Sequence, residues 1–475
     1  MSESEYDVIV IGGGPVGENV ADRAVQGGLT AALIERDLFG GECSYWACIP
    51  SKALLRPGEA LRAAQHLRGA LTGDAADARP DAAEVFARRN AVVGNWDDSG
   101  QVGWATGHGI AAIRGIGRLA GERRVTVTDP DGVETTLTAR HAVVVSTGTR
   151  AAVPDIPGLR AANPWTSREA TSSQTAPGRL AIIGGGVVAV EMATAYAGLG
   201  SKVTIVSLTP LIANVEPFAG EAVLKGLQAL GVEVMTGDSP AKVTRGDDGV
   251  VTIETSHGHT IVADEVLAAT GRAPSTSEIG METVGLEPGG WFSVDDTLRV
   301  DGFDWLYAVG DVNHRVLLTH QGKYQARAAG DVIVARARGE EVDDAAWGRH
   351  VATADHAAVP QVIFTDPEVA AIGVSEAQAR AAGTEITVVD YDLGSVAGAV
   401  LYEDGYAGHA RMIVDEGRGV VIGMTLVGPA VAELLHAATI AVVGEVPVDR
   451  LWHAVPSFPT ISEVWLRLLE AYRDR

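Results

Sequence analysis

The stretch "GGECSYWACIPSK", Gly40 to Lys52, holds the only two cysteines of the 475-residue chain, Cys43 and Cys48. Two thiols separated by four residues can be a structural staple, half of a metal site, a redox couple or a coincidence. In the reactive cases the thiolate does the chemistry, and a nearby cation or helix N-terminus favours it. Which of the four applies depends on sequence far from the pair.

Ahead of the cysteines runs "YDVIVIGGGPVGENVADRAVQGGLTAALIERD". Tyr6 to Ile11 is an apolar, β-branched run suited to a buried parallel strand. Gly12, Gly14 and Gly17 follow in G-x-G-x-x-G spacing, then a helical stretch and a second strand ending at Glu35. The glycines serve a tight turn, close approach of backbone to a pyrophosphate, and helix-on-strand packing. The helix N-terminus suits phosphates, and an acid at that distance suits a ribose hydroxyl. A Gly-rich turn in an unrelated α/β unit would not need all five parts in order.

The unit recurs in "RLAIIGGGVVAVEMATAYAGLGSKVTIVS", with Gly184, Gly186 and Ala189 at the corresponding spacing. Two such units imply two nucleotides, most simply FAD and a nicotinamide dinucleotide, NADPH or NADH, and that combination moves electrons. The second unit's strand ends at Ser207, where an acid would bind both ribose hydroxyls of NADH. No acid stands there and no arginine beside it, so coenzyme choice is nearly open, with a slight tilt toward NADPH. Thr147-Gly148 and Thr270-Gly271 each end a strand with small residues that let the chain pass near a cofactor. Asp311 ends the apolar run "FDWLYAVGDV" and suits a ribityl hydroxyl.

These elements need a scaffold, and the length predicts about three domains. A net charge of -24 argues against a nucleic-acid partner, since phosphate backbones are held by an excess of Lys and Arg. No apolar run is long enough to span a bilayer. The N-terminus enters a strand with no basic, cleavable leader, so the chain reads as cytoplasmic. A helical stretch from Ala53 to Asn90 carries a polar break at "LTGDAADARPD", and "RRVTVTDPDGVETTLTAR" reads as a hairpin turning at Asp-Pro-Asp-Gly. Beyond residue 350 no glycine loop recurs, and an α+β module is expected, covering the site or forming a dimer. The fold class is α/β: two Rossmann-like dinucleotide-binding domains plus a C-terminal α+β dimerisation domain. The expected spans are 1–155 and 276–350 for FAD, 156–275 for NAD(P) and 351–475 for the interface.

C-x4-C-x-P-S-K after the first unit, Gly310-Asp311, and P-T-x-S-E near the end, all in order along the whole chain, resemble the flavoprotein disulfide reductases. That family includes dihydrolipoamide dehydrogenase and glutathione, mycothione and mercuric reductases. The resemblance implies that Cys48 is the thiolate lying against the flavin and Cys43 the thiol that attacks an incoming disulfide. It implies that Lys52 sits by the flavin and pairs with Glu191 of the nicotinamide pocket. It further implies FAD contacts at Gly12, Gly14, Pro15, Gly17, Glu35, Arg36, Gly41, Glu42, Lys52, Gly117, Thr147, Gly148, Gly310, Asp311 and His320. NAD(P)H contacts fall at Gly184, Gly186, Ala189, Glu191, Ser207 and Gly271, and the chain is expected to be a homodimer. A metal site would need more soft ligands than two thiols, so no metal is assigned.

Three departures bear on function. Tyr45, Trp46 and Ala47 stand where the family has Asn and Gly, and Trp46 by itself reads as packing. Glu42 replaces a small hydroxyl residue. Most consequentially, "HAVPSFPTISE" keeps Pro459, Thr460 and Glu463 but puts Phe458 where the family carries its acid–base histidine. General acids and bases contribute roughly 10²–10⁴-fold in rate, and phenylalanine transfers no proton. Glu463 is then an idle remnant or itself the acid; His453 and His436 read as surface histidines. The expected activity is an FAD-dependent NAD(P)H oxidoreductase with a Cys43–Cys48 disulfide and an atypical small acceptor. Alternatives are a quinone-reducing diaphorase using flavin alone, and a non-turnover redox-sensing or carboxylase-like member, the carboxylase also having Phe at that position. Mercury is disfavoured, because the family's mercuric enzymes need a further cysteine pair.

Overall fold

The computed structural model describes residues 3–71 and 78–475 and divides into two compact units. Part of the polar break expected at 71–81 falls on 72–77, outside the described residues. The first unit takes 1–50, 90–151 and 272–356; the second takes 51–89, 152–271 and 357–475. The segment 51–89 grouping with the second unit is a feature the sequence did not signal.

In the first unit a sheet runs in the order Ala111–Arg114, Ala31–Glu35, Glu3–Ile11, Glu134–Val145, and on to Leu306–Ala308, all parallel. Its central strands read as continuous β-branched runs because both faces are covered; Val8, Ile9 and Val10 are fully buried. Glu134–Val145 does double duty. Its first half pairs antiparallel with Arg124–Thr128, and its last three residues pair with Leu306–Ala308. The intervening turn forms at Asp129–Gly132 as expected, with the Asp129 carboxylate accepting from the N–H groups of Asp131 and Val133. The helix Pro15–Gln26 packs along Thr319–Arg338, where Gly322 and Gly330 let Val16 and Arg23 approach closely.

The second unit contains a parallel four-stranded sheet, Glu233–Thr236, Lys202–Ser207, Arg179–Ile183 and Glu265–Ala268. A separate antiparallel sheet orders its five strands Gln361–Ile363, Glu368–Gly373, Val420–Gly428, His409–Asp415 and Ile386–Asp392. This is the α+β module expected beyond residue 350.

One buried cation organises the inserted segment. Arg89, on the helix Ala82–Val92, has no solvent exposure, and its guanidinium donates to the carbonyls of Thr171, Ser172 and Ser173. These are carbonyls at and just past the end of the helix Ser167–Ser172, where intrahelical partners run out. Replacing Arg89 by Leu strands buried acceptors and is expected to cost about 3 kcal/mol, measurable as a lower urea midpoint with unchanged slope.

Candidate active site

The two nucleotide loops follow one plan, position for position. Gly12 has φ +108°, and a Cβ there would lie 2.4 Å from the Ser146 carbonyl; Gly184 has φ +116°, with the Ala269 carbonyl at 2.3 Å. Each first glycine thus lets its loop press onto the neighbouring strand's end. Gly13 abuts Glu35, and Gly185 abuts Ser207. The third loop positions are open: a Cβ at Gly14 would meet only Gly41 Cα at 3.9 Å, and one at Gly186 would meet nothing within 4 Å. These N-cap positions leave room that a pyrophosphate would fit, with Pro15 at the first helical position of Pro15–Gln26 and the helix Val187–Gly198 in the second unit. Gly17 is pinned on the Gly12 carbonyl, while its counterpart Ala189 fits fully buried.

The loops differ in their acids. Glu35 is buried, and its two oxygens accept from the N–H groups of Gly13 (2.8 Å) and Asp37 (2.7 Å). Burial nevertheless lifts its ionisation above the usual carboxylate range. Ser207 instead donates to the Thr209 carbonyl at 2.8 Å. Thr147 Oγ1 is buried with no partner among the described residues, and Gly148 and Gly271 have nothing within 4 Å of a Cβ position. An orphaned hydroxyl and open glycines at these strand ends fit FAD in the first unit and a nicotinamide dinucleotide in the second. Asp311 accepts from the Thr149 hydroxyl at 2.6 Å, and Gly310 donates its N–H to Gln325. Arg36 and His320 are exposed. Gly117 packs on Ile11 and Ile34, which is reason enough for glycine there.

The cysteines sit on the first of these loops. Gly41 begins the short helix Gly41–Tyr45 in the left-handed region, and a Cβ on it would stand 2.8 Å from Gly14 Cα. Cys43 lies in that helix, and Cys48 opens the next, Cys48–Gln65. Both are free thiols, hydrogen-bonded to one another. Cys48 Sγ is 3.3 Å from Thr319 Oγ1. The bond to Cys48 and burial hold the Cys43 thiol well above its ordinary value, while Thr319 and Lys323 pull the other way. Cys43 is thus a thiol that holds its proton. Tyr45 is buried and packs beside Trp46, ring centroids 5.7 Å apart; Glu42 is half-buried.

In the second unit Lys52 Nζ donates to Glu191 Oε2 at 2.6 Å. Glu191 is buried, its other oxygen accepts from Phe364 N–H at 3.1 Å, and the ammonium lies 4.8 Å from the Phe364 ring centre. Phe458 is 76 % exposed. Glu463 is buried and paired to Arg467, one helical turn on, leaving Oε2 without a partner among the described residues. His453 and His436 are exposed.

Residues missed at the sequence level are Thr319, Phe364, whose contribution is a backbone N–H, and Glu18. Thr319 is 271 positions from Cys48, beyond any local signal. Glu18 is signalled only by standing one helical turn past Gly14. It is 9 % exposed, and burial lifts its ionisation to about 7, opposed by Lys323.

The geometry provides two glycine loops of one plan and a thiol pair seated on the first, and the comparisons give the family. The pyridine nucleotide-disulphide oxidoreductase model matches residues 6–330, and its dimerisation-domain model matches 359–468. The chain belongs to this family, whose members bind FAD and NAD(P)H. It is 33% identical to a mercuric reductase of Shigella flexneri, over 98% of this chain and 80% of that one. It is 32% identical to a dihydrolipoyl dehydrogenase of Haloferax volcanii, over 98% and 95%. The fold matches the HOCl-induced flavoprotein disulfide reductase RclA of Escherichia coli with a TM-score of 0.83 at 24% identity, over 98% and 99%. Among the described residues no helix is long and apolar enough to cross a membrane.

A raised acid ionisation makes folding favour the protonated form. Between the unfolded carboxylate value and about 7, the folded state binds the extra Glu18 proton, so stability falls as pH rises through that window, by up to about 3 kcal/mol. Glu18→Gln removes this loss. Its urea midpoint, relative to the parent's, is expected to rise between about pH 5 and about pH 8.

Proposed function

We propose that the protein is an FAD-dependent NAD(P)H oxidoreductase in which electrons pass to a Cys43–Cys48 disulfide and then to an atypical small acceptor. The observation that carries this reading is the seating of the cysteine helix on the nucleotide loop, Gly41 against Gly14, with Cys48 held by Thr319. When bound, FAD supplies the two-electron relay between nicotinamide and sulfur.

The side chains do the remainder. Gly186 and Gly271 leave backbone open to the coenzyme, and Lys52 on Glu191 fixes an ammonium and a carboxylate in place. Ser207, in place of an acid, spares a 2′-phosphate repulsion, which favours NADPH. Cys48 takes the negative charge, and Cys43 must shed its proton before it can attack. Phe458 offers no acid to the departing group. The acceptor is therefore one that needs little help: a disulfide with its own acid or a low-pKa leaving thiol, a small oxidant, or a quinone. A soft-metal acceptor has less support, since Cys43 and Cys48 are the only thiols in 475 residues. A cytoplasmic homodimer is part of the proposal. Exposed Val400, Leu401, Ile440, Val455 and Phe458 in the second unit give it apolar surface to bury.

Phe458 also favours one competing reading, a diaphorase in which flavin alone reduces a quinone. Anaerobic titration with NADPH, and less readily with NADH, is expected to raise the long-wavelength thiolate–flavin absorbance. Its absence removes the redox disulfide. Quinone reduction that survives Cys43→Ser with Cys48→Ser at full rate would establish the diaphorase.

A further inference from the structure

Asp355 is a buried carboxylate with no part in the scheme above. Its side chain is 1 % exposed, and it belongs to the first unit. Two amides on the helix Thr319–Arg338, one turn apart, donate to it: Gln321 Nε2 to Oδ1 at 2.9 Å and Gln325 Nε2 to Oδ2 at 2.8 Å. Arg315 supplies the counter-charge, with Nη1 3.8 Å from Oδ2. Burial nonetheless raises the ionisation of Asp355 above the usual carboxylate range.

Gln325 is fully buried and joins this carboxylate to the turn that carries Asp311. Its Oε1 accepts from the Gly310 N–H and from Asn313 Nδ2, both at 2.8 Å. Asn313 is itself pinned by backbone, donating to the Ala308 carbonyl at 3.1 Å and accepting from the Arg315 N–H at 3.1 Å. Asp311, next to Gly310, accepts from the Thr149 hydroxyl, and that hydroxyl accepts from Arg272 Nε at 2.6 Å. The two ends of an amide have nearly the same shape, so its partners set its orientation. Two N–H donors face the Gln325 oxygen. On the other side stands a carboxylate, which when ionised only accepts and so demands the NH2 end.

We propose that Asp355 is a positioning residue of the flavin site: its carboxylate holds the Gln325 amide in the orientation whose oxygen anchors Gly310, and thereby sets Asp311. The proposal rests on reading Asp311 as the FAD ribityl contact. Without the carboxylate the amide is released to turn, which brings its NH2 against the Gly310 N–H and strands a buried donor. The same bonds form if the two groups are exchanged. With Gln325→Glu and Asp355→Asn together, the new carboxylate accepts from Gly310 and Asn313, and the new amide donates to it while accepting from Gln321. Net charge is unchanged. The charged groups around the pair are few. Arg315 also donates to Asp296 at 2.6 Å, and His356 Nε2 lies 2.7 Å from the same Asp296 oxygen. Tyr324, on the helix, donates its phenol to the Val351 carbonyl at 3.3 Å.

The test is the rate of FAD release from the holoenzyme on dilution, followed by flavin fluorescence between about pH 6 and about pH 8. Gln325→Glu alone sets two carboxylates face to face, and they must share a proton. It is expected to release FAD about tenfold faster than the parent at the upper end of that range, and less so at the lower end. Adding Asp355→Asn is expected to return release to within about threefold of the parent at every pH. A Gln325→Glu rate that overlays the parent's overturns the proposal, as does a double variant that releases FAD no more slowly than Gln325→Glu. If Gln325→Glu does not fold, Gln325→Met brings neither charge nor an anchor for Gly310. It is expected to release FAD about tenfold faster at every pH, and parent-like release there overturns the proposal. Failure of the underlying reading would show separately, as an Asp311→Ala variant that keeps FAD as long as the parent.

Discussion

The site depends on one backbone contact, Gly41 against Gly14. A side chain on Gly41 does not fit, because its Cβ would stand 2.8 Å from Gly14 Cα. That contact fixes the cysteine helix to the first glycine loop, and the sulfurs are positioned by the same backbone that is suited to hold a cofactor. The neighbouring constraints follow from it. Gly12 must take a positive φ to press on Ser146, Gly17 must lie flat on Gly12, and Glu35 must reach back to the Gly13 N–H. A loop this crowded has few spare conformations, which suits a group that must be preorganised.

The second unit repeats the loop without the thiols, and the comparison isolates where the two copies differ. Gly184, Gly185 and Gly186 reproduce the packing of Gly12, Gly13 and Gly14, but Ser207 replaces Glu35 and turns its hydroxyl to a local carbonyl. A shared plan with a changed end residue is how one supersecondary unit comes to serve two nucleotides. The buried Glu191, held by Lys52 and the Phe364 N–H, is the charged feature that this unit adds.

Much of this was legible in the sequence. Period and punctuation gave the strands, the glycine spacing gave both cradles, and Asp-Pro-Asp-Gly gave its hairpin. What stayed hidden shares a physical cause: it depends on which distant segments meet. Thr319 reaches Cys48 only because a helix 271 positions away begins beside it. Arg89 looks like a surface arginine until its helix is laid across the end of Ser167–Ser172. Glu18 sits on an amphipathic helix where an acid would ordinarily face water. Gly117 has a packing reason of its own, since a Cβ there would meet Ile11 and Ile34 at 3.1 Å.

The central claim is that the thiols, and not the flavin alone, store electrons, and counting electrons tests it most directly. In an anaerobic dithionite titration of the holoenzyme, the account requires a second electron pair per chain beyond the one taken by the flavin. That second pair is expected to vanish in Cys48→Ser. Uptake of a single pair by the parent protein would contradict the account and leave Cys43 and Cys48 as bystanders.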